Sequence, residues 1–244
     1  MIRPSATSDE LWAALPTLAG EDLHALLDHP SADEKHVIKL LERPDLPGEF
    51  LQGLAKSRWI RSSRVQFYMV NNPNTPLAQA MNFVKFLFWR DLNQVAMNFR
   101  VATEVRHMAE SVLFQRLSAL AVGEKVALAR IAGGQVLKTL RLEKESRITG
   151  ALLENPRLVE EDVLFIINQS RTPGPVLETI ARDPKWSTRK EVRVALLRNG
   201  STPLSAVIPF ITQLGASEIK SLLHDPKVPT AVRRMIHTRL GGER

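Results

Sequence analysis

Apolar residues recur at helical spacing along most of the sequence, and short polar or proline-containing turns separate the apolar runs. Capping residues at the starts of these runs and prolines beyond their ends set approximate limits. The spacing predicts helices over 8–19, 22–28, 33–42, 77–99, 103–120, 123–132, 135–142, 144–154, 159–170, 174–182, 204–214, 217–224 and 230–240. Alternation with a period of two is nowhere long enough to predict a strand. The pattern therefore predicts an all-α fold.

One stretch of the sequence occurs twice. WIRSSRVQFYMVNNPNTPL, residues 59–77, returns 127 residues later as WSTRKEVRVALLRNGSTPL, residues 186–204. The matched positions are Trp59 with Trp186, Val65 with Val192, Met69 with Leu196, Asn72 with Asn199, and Thr75-Pro76-Leu77 with Thr202-Pro203-Leu204. In each copy a helical run ends in a polar turn and Thr-Pro opens the next helix. The repeated unit is predicted to be helix, turn, helix.

A second motif, two leucines followed by two polar residues and a proline, ends four predicted helices. It occurs as LLDHP, LLERP, LLENP and LLHDP at 26–30, 40–44, 152–156 and 222–226. Proline pushes the preceding residue out of the α region, so each motif marks a helix end. Asp-Pro-Lys at 183–185 and again at 225–227 indicates a period of 42 residues. These periods predict one α-helical repeat domain over 1–244, with N-terminal helices in 8–57, central helices in 60–142 and C-terminal repeats in 144–240.

The residues at the helix starts and turns resemble those of HEAT-like, armadillo-type helical repeats and of the leucine-rich repeat variant family. The residues that carry the resemblance are Arg64-Val65 with Asn72-Pro73 and Thr75-Pro76, Val192-Arg193 with Asn199 and Thr202-Pro203, and Arg147-Ile148 with Asn155-Pro156. The resemblance implies an α-solenoid of stacked helix pairs that acts as a binding protein or scaffold. Members of the variant family can carry a cysteine-ligated iron–sulfur cluster, which a chain without cysteine cannot hold.

Composition and charge limit the classes of protein and of partner that the sequence allows. Apolar residues make up 44% and charged residues 24% of the chain, as in a protein with an ordinary core. The N-terminus lacks the apolar segment of a signal peptide, and no run approaches the roughly 20 apolar residues of a spanning helix. We therefore expect a cytoplasmic protein with no membrane partner. The net charge of +7 favours acidic partners or nucleic acid.

Cations cluster around both tryptophans of the repeat. The candidate binding residues for a polyanion or a protein partner are Lys56, Arg58, Trp59, Arg61 and Arg64 in the first copy and Lys185, Trp186, Arg189 and Arg193 in the second. Stacked repeats could align these cations as a basic ridge that binds phosphates or an acidic protein surface. The alternative is a solvated outer face, with the tryptophans serving as packing residues between repeats.

A third candidate feature is the segment 81–89, MNFVKFLFW, which is apolar on more than one helical face. Such a helix is either buried inside the array or covers a partner. The histidines lack the i, i+4 pair typical of zinc sites on helices, so we expect no metal site and no cofactor. No phosphate loop, dinucleotide fingerprint or Gly-x-Ser-x-Gly motif is present, and no catalytic residues are assigned.

Two functions follow from these patterns. The first is a non-enzymatic helical-repeat protein that serves as a scaffold for a protein or peptide. The alternative is a HEAT-like protein that binds nucleic acid through the basic ridge, either without catalysis or as a DNA-glycosylase-like enzyme, since some DNA glycosylases use such arrays. The sequence does not fix the oligomeric state or the partner.

Overall fold

The computed structural model describes residues 2–169 and 171–241. Within these ranges the chain forms α-helices and two short 3-10 turns, with no strand, so the all-α prediction is confirmed. The chain divides into two compact units, Met1–Ala119 and Leu120–Arg244. The expectation of a single repeat domain over 1–244 stays a prediction, and the two units are described separately below.

The first unit contains eight helices within its described residues. They are α1 (Ser8–Ala14), α2 (Glu21–Asp28), α3 (Glu34–Leu41), α4 (Gly48–Leu54), α5 (Ser63–Asn71), α6 (Leu77–Val84), α7 (Trp89–Ala96) and α8 (Thr103–Arg116). The 3-10 turns are Arg58–Arg61, before α5, and Leu117–Ala119, after α8. Contacts join α3 to α5, α5 to α7, α2 to α4, and α6 to α8. Helices two apart in sequence are therefore neighbours in space.

The second unit contains nine helices within its described residues. They are α9 (Val122–Ala129), α10 (Gly134–Leu140), α11 (Ser146–Leu153), α12 (Glu160–Asn168), α13 (Gly174–Arg182), α14 (Lys190–Arg198), α15 (Leu204–Gln213), α16 (Ala216–His224) and α17 (Thr230–Gly241). Contacts run in one row through α9, α11, α13, α15 and α17, and join α12 to α14 in a second row. The second unit thus repeats the rule that helices two apart are neighbours.

Asparagine side chains connect the helices of a row. The last four carbonyls of a helix have no partner within that helix, and in a short helix they are a large share of the backbone acceptors. Asn72, at the end of α5, donates from Nδ2 to the carbonyls of Leu41 at 3.0 Å and Arg43 at 2.7 Å, at the end of α3. Asn199, at the end of α14, donates to the Ile167 carbonyl of α12 at 2.6 Å. We call such a bond, from one helix end to the helix two earlier, a stitch.

Other side chains make the same connection. The fully buried Asn155 donates to the carbonyls of Ala129 at 2.7 Å and Ala132 at 2.9 Å, which ties the end of α11 to the end of α9. Stitches from longer side chains are those of Arg43 to Leu15 and Leu18, Arg116 to Leu87, and Gln169 to Arg141. Each satisfies carbonyls at a helix end that packing would otherwise leave without a donor.

The repeated tryptophans also bond to the backbone of an earlier helix. Trp59 donates from Nε1 to the Leu27 carbonyl at 2.8 Å, and Trp186 donates to the Leu153 carbonyl at 3.1 Å. Leu27 and Leu153 are the second leucines of LLDHP and LLENP. The internal duplication is therefore longer than the motif 59–77 and reaches back to these leucines, so that α2–α6 correspond to α11–α15.

The Thr-Pro turns follow a common geometry. Thr75 donates from Oγ1 to the Met69 carbonyl at 2.5 Å, and Thr202 donates to the Leu196 carbonyl at 2.8 Å. The hydroxyl donates to a carbonyl at the end of the preceding helix. The proline stands at the start of the next helix, where its missing N–H costs no hydrogen bond. The predicted helix–turn–helix unit is therefore confirmed in both copies.

Some predicted helix limits are wrong. The predicted helix 77–99 is two helices, α6 and α7, because the chain turns at residues 85–88. Leu87 is fully buried in this turn, whereas Phe86 and Phe88 are 63% and 66% exposed, so segment 81–89 is not one buried helix. The helix predicted over 8–19 ends at Ala14, before Pro16. Ser170, the predicted end of another helix, lies outside the described residues.

We expect Asn72→Ala and Asn199→Ala each to lower the free energy of unfolding by about 1–3 kcal/mol, because each leaves a helix-end carbonyl without its donor. Urea denaturation measures this change. Asn168→Ala, at an exposed position in α12, is the matched control and should stay within about 0.5 kcal/mol of the wild type. Equal stability of all three variants would contradict the role given to the stitches.

Candidate functional site

The basic segment of the first copy consists of Lys56, Arg58, Arg61 and Arg64, around the 3-10 turn between α4 and α5. All four side chains are exposed, and none pairs with a carboxylate in the described part of the chain. The Arg58 guanidinium lies over the half-buried Trp59 ring, 4.6 Å from its centroid. The predicted cluster thus forms a locally unneutralised positive surface in the first unit.

The corresponding segment of the second unit is partly neutralised. Arg189 pairs with Glu160 at 2.6 Å, and Arg182 pairs with Glu178 at 2.5 Å. Trp186 is only 1% exposed, and Lys185 and Arg189 lie 4.3 and 4.7 Å from its ring centroid. A ring buried in this way has no face free to stack on a nucleic-acid base, so in the structure Trp186 is a packing residue. The half-buried Arg193 follows in α14.

The second unit carries a groove that the sequence did not predict, between α12, α14 and the turn before α17. Its volume is about 680 Å³. The lining residues are Leu164, Asn168, Glu191, Ala195, Arg198, Asn199 and Lys227. We call this surface the α12–α14 groove. It combines two apolar side chains, Leu164 and Ala195, with amides and both signs of charge, and its volume lies in the range of ligand-binding clefts.

Three charged residues line the groove, and one of them, Arg198, is in an ion pair. Arg198 bonds from Nε to Oδ2 of Asp225 at 2.6 Å, and the Lys227 backbone N–H bonds to Oδ1 at 2.9 Å. The backbone N–H of Lys227 and the Arg198 guanidinium lower the pKa of the Asp225 carboxyl. Asp225 is therefore ionised at neutral pH and occupies Arg198. The side chains of Lys227 and Glu191 line the groove, are exposed and form no ion pair with a described residue, and the charge of Lys227 also helps to lower the pKa of the Asp225 carboxyl.

The amides of the groove have different tasks. Asn199 is committed to the fold, because Nδ2 donates to Ile167 and Oδ1 accepts the Ser201 backbone N–H at 2.9 Å. Asn168, at the end of α12, is exposed and bonds to no described residue. Its amide offers a donor and an acceptor to a bound molecule. Asparagine is common at helix ends, so the sequence alone does not indicate that Asn168 takes part in binding.

Other chemistry in the described residues is structural. His36 is fully buried, with Nδ1 bonded to Asp33 at 2.6 Å and Nε2 to the Ser8 carbonyl at 3.2 Å, so it holds α3 against the start of α1. Among residues 2–169 and 171–241, no three histidine, aspartate or glutamate side chains lie close enough together to hold a metal ion. Every helix in the same ranges is too short or too polar to cross a bilayer.

Comparisons with known proteins give no family assignment. No family model matches the sequence, and no curated protein or solved structure matches it either. The resemblance to HEAT-like repeats and the leucine-rich repeat variant family therefore stays a prediction from the residue pattern.

Proposed function

We propose that this chain is a non-enzymatic helical-repeat protein, an α-solenoid of HEAT-like helix pairs, that binds an extended peptide segment of a partner protein. The observation that carries the proposal is the α12–α14 groove, which presents the amide of Asn168, unpaired among the described residues, and the exposed charges of Glu191 and Lys227 beside two packed helices. An extended peptide presents backbone N–H and C=O groups that have to be paired when they leave water. A groove with the Asn168 amide at its edge can pair them.

The groove residues also suggest what the peptide looks like. Lys227 would attract a carboxylate of the peptide and Glu191 a basic side chain, so the preferred segment carries both charges. Ala195 is the smallest side chain in the lining, so a peptide backbone can approach α14 closely at this point. The partly exposed Leu164 offers a contact for an apolar side chain. The expected ligand is therefore a mixed-charge segment with at least one apolar residue.

We expect peptides selected from a random display library on the wild-type protein to bind Asn168→Trp at least about tenfold more weakly, because an indole at this exposed position fills the groove. Ser205→Trp, an exposed position in α15 outside the groove, is the control and should keep the wild-type affinity. Fluorescence anisotropy with the selected peptides measures both. Failure to enrich any peptide, or equal affinity for both variants, would contradict a peptide site in this groove.

The unpaired basic segment of the first unit supports a second candidate, nucleic-acid binding through phosphate contacts. Lysine and arginine that neutralise phosphates release counterions, so affinity falls as salt rises. Arg58, Arg61 and Arg64 are exposed and carry no competing carboxylate partner among the described residues. A DNA-glycosylase-like activity would also need a base pocket and a catalytic carboxylate, for which the structure offers no specific support.

If these arginines bind phosphates, the triple variant Arg58→Ala, Arg61→Ala, Arg64→Ala should weaken binding of short duplex and single-stranded oligonucleotides. For duplex DNA the slope of affinity against salt should become shallower by up to about 2.7, from about 0.9 per lost contact. The control, Arg182→Ala, Arg189→Ala, Arg193→Ala, removes the same charge from the second copy and should change less. Equal loss in both triple variants would indicate attraction to net charge, and no binding at low salt would exclude this candidate.

A further inference from the structure

A second concave surface lies in the first unit, between the end of α4, the length of α6 and the start of α8. Its volume is about 590 Å³, and no carboxylate is among its lining residues. The residues that matter here are Lys56, Gln79, Met81, Asn82, Lys85 and Met108. We call this surface the α6 cleft. It belongs to a different unit from the α12–α14 groove, so the two surfaces can be tested separately.

The α6 cleft is positively charged. Lys56 and Lys85 are exposed, and neither pairs with a carboxylate in the described part of the chain. Arg116 donates to the carbonyls of Lys85 at 2.5 Å and Leu87 at 2.8 Å, which fixes the end of α6 to α8. The two walls of the cleft are thereby held together, and its charge attracts an anion without having to break an existing ion pair.

Gln79 carries an acceptor atom that lacks a hydrogen-bond donor. Its Oε1 atom is buried and accepts no hydrogen bond from the described residues. A buried acceptor without a donor is costly. Gln79 lines the cleft and is half-buried, so a turn of its side chain toward the cleft would bring Oε1 within reach of a ligand N–H. Asn82 lies three residues further along α6, on the same side of the helix, and offers a second amide. Met81 and Met108 supply flexible apolar contacts next to these polar groups.

The second copy of the repeat forms the same helices with other residues at the matching positions. At the 127-residue shift of the repeat, the corresponding positions of the second unit are Asp183 for Lys56, Ala206 for Gln79, Pro209 for Asn82 and Thr212 for Lys85. The second copy therefore has neither the two cations nor the amides at these positions. The same helical framework thus forms with other residues, and the set in the first unit is free to serve a ligand.

We propose that the α6 cleft binds an acidic peptide segment. Carboxylates of the peptide would pair with Lys56 and Lys85, and a backbone N–H would donate to Gln79 Oε1. A peptide meets both demands at once, because it carries an N–H at nearly every residue and acidic side chains at close intervals. A mononucleotide also brings negative charge and amine donors, so it serves as the competing ligand in the test.

The test uses a fluorescein-labelled peptide, Glu-Leu-Glu-Ser-Glu-Leu-Glu, and anisotropy measurements on the full chain. The double variant Gln79→Ala, Lys85→Thr carries residues that the fold accepts at the matching positions of the second unit. We expect it to bind the peptide at least about tenfold more weakly than the wild type, since one charge-assisted bond and one buried hydrogen bond are lost. A peptide with glutamine in place of glutamate should bind the wild type as weakly as the variant does.

Two controls make the result specific. Lys220→Thr with Gln213→Ala removes the same groups from exposed positions of the second unit and should leave the affinity unchanged. Equal weakening by the Lys220 and Gln213 pair would overturn the proposal, because it would show attraction to net charge alone. Displacement of the peptide by AMP at lower concentration than by unlabelled peptide would also overturn it, in favour of a nucleotide. Neither result bears on the α12–α14 groove.

Discussion

The structure depends on how its short helices satisfy the carbonyls at their ends. Most of the described helices have seven to ten residues, so a large part of the carbonyls of each helix would lack hydrogen-bond donors if the helices stood alone. Side chains from the helix two further on supply the donors, as Asn72, Asn155 and Asn199 do. Each such bond fixes the distance and rotation between neighbouring helices of a row, and apolar packing fills the space between them.

The two copies of the repeat share the residues that bond one helix to another and differ in the residues that face outward. The stitches and the tryptophan bonds occur in both, because the fold requires them: Asn72 matches Asn199, and Trp59 matches Trp186. The outward residues are not under that constraint. In the described part of the first unit they leave cations without carboxylate partners around α4–α6, whereas in the second unit Glu160 pairs with Arg189 and Glu178 pairs with Arg182. Binding properties can therefore diverge while the helical framework stays the same.

Helices could be predicted from the sequence where proline, glycine or capping residues mark both of their ends. Gly174–Arg182 agrees with the prediction because Thr-Pro-Gly opens that helix and Asp-Pro follows it. The break between α6 and α7 was missed, since residues 85–88 contain neither glycine nor proline and their apolar spacing continues a helical pattern. The basic segment could be predicted because its cations are close in sequence. The α12–α14 groove could not, because Asn168, Ala195 and Lys227 meet only through the stacking of helices.

Hydrogen exchange in the Asn155→Ala variant tests most directly whether stitches hold the helices of a unit together. Asn155 is fully buried and bonds to carbonyls at the end of α9, far from its own turn in sequence. The account predicts faster exchange in α9 and α10 as well as in α11, with unchanged exchange in α2–α6 of the first unit. Faster exchange confined to the turn at residues 155–158, with α9 as protected as in the wild type, would contradict it.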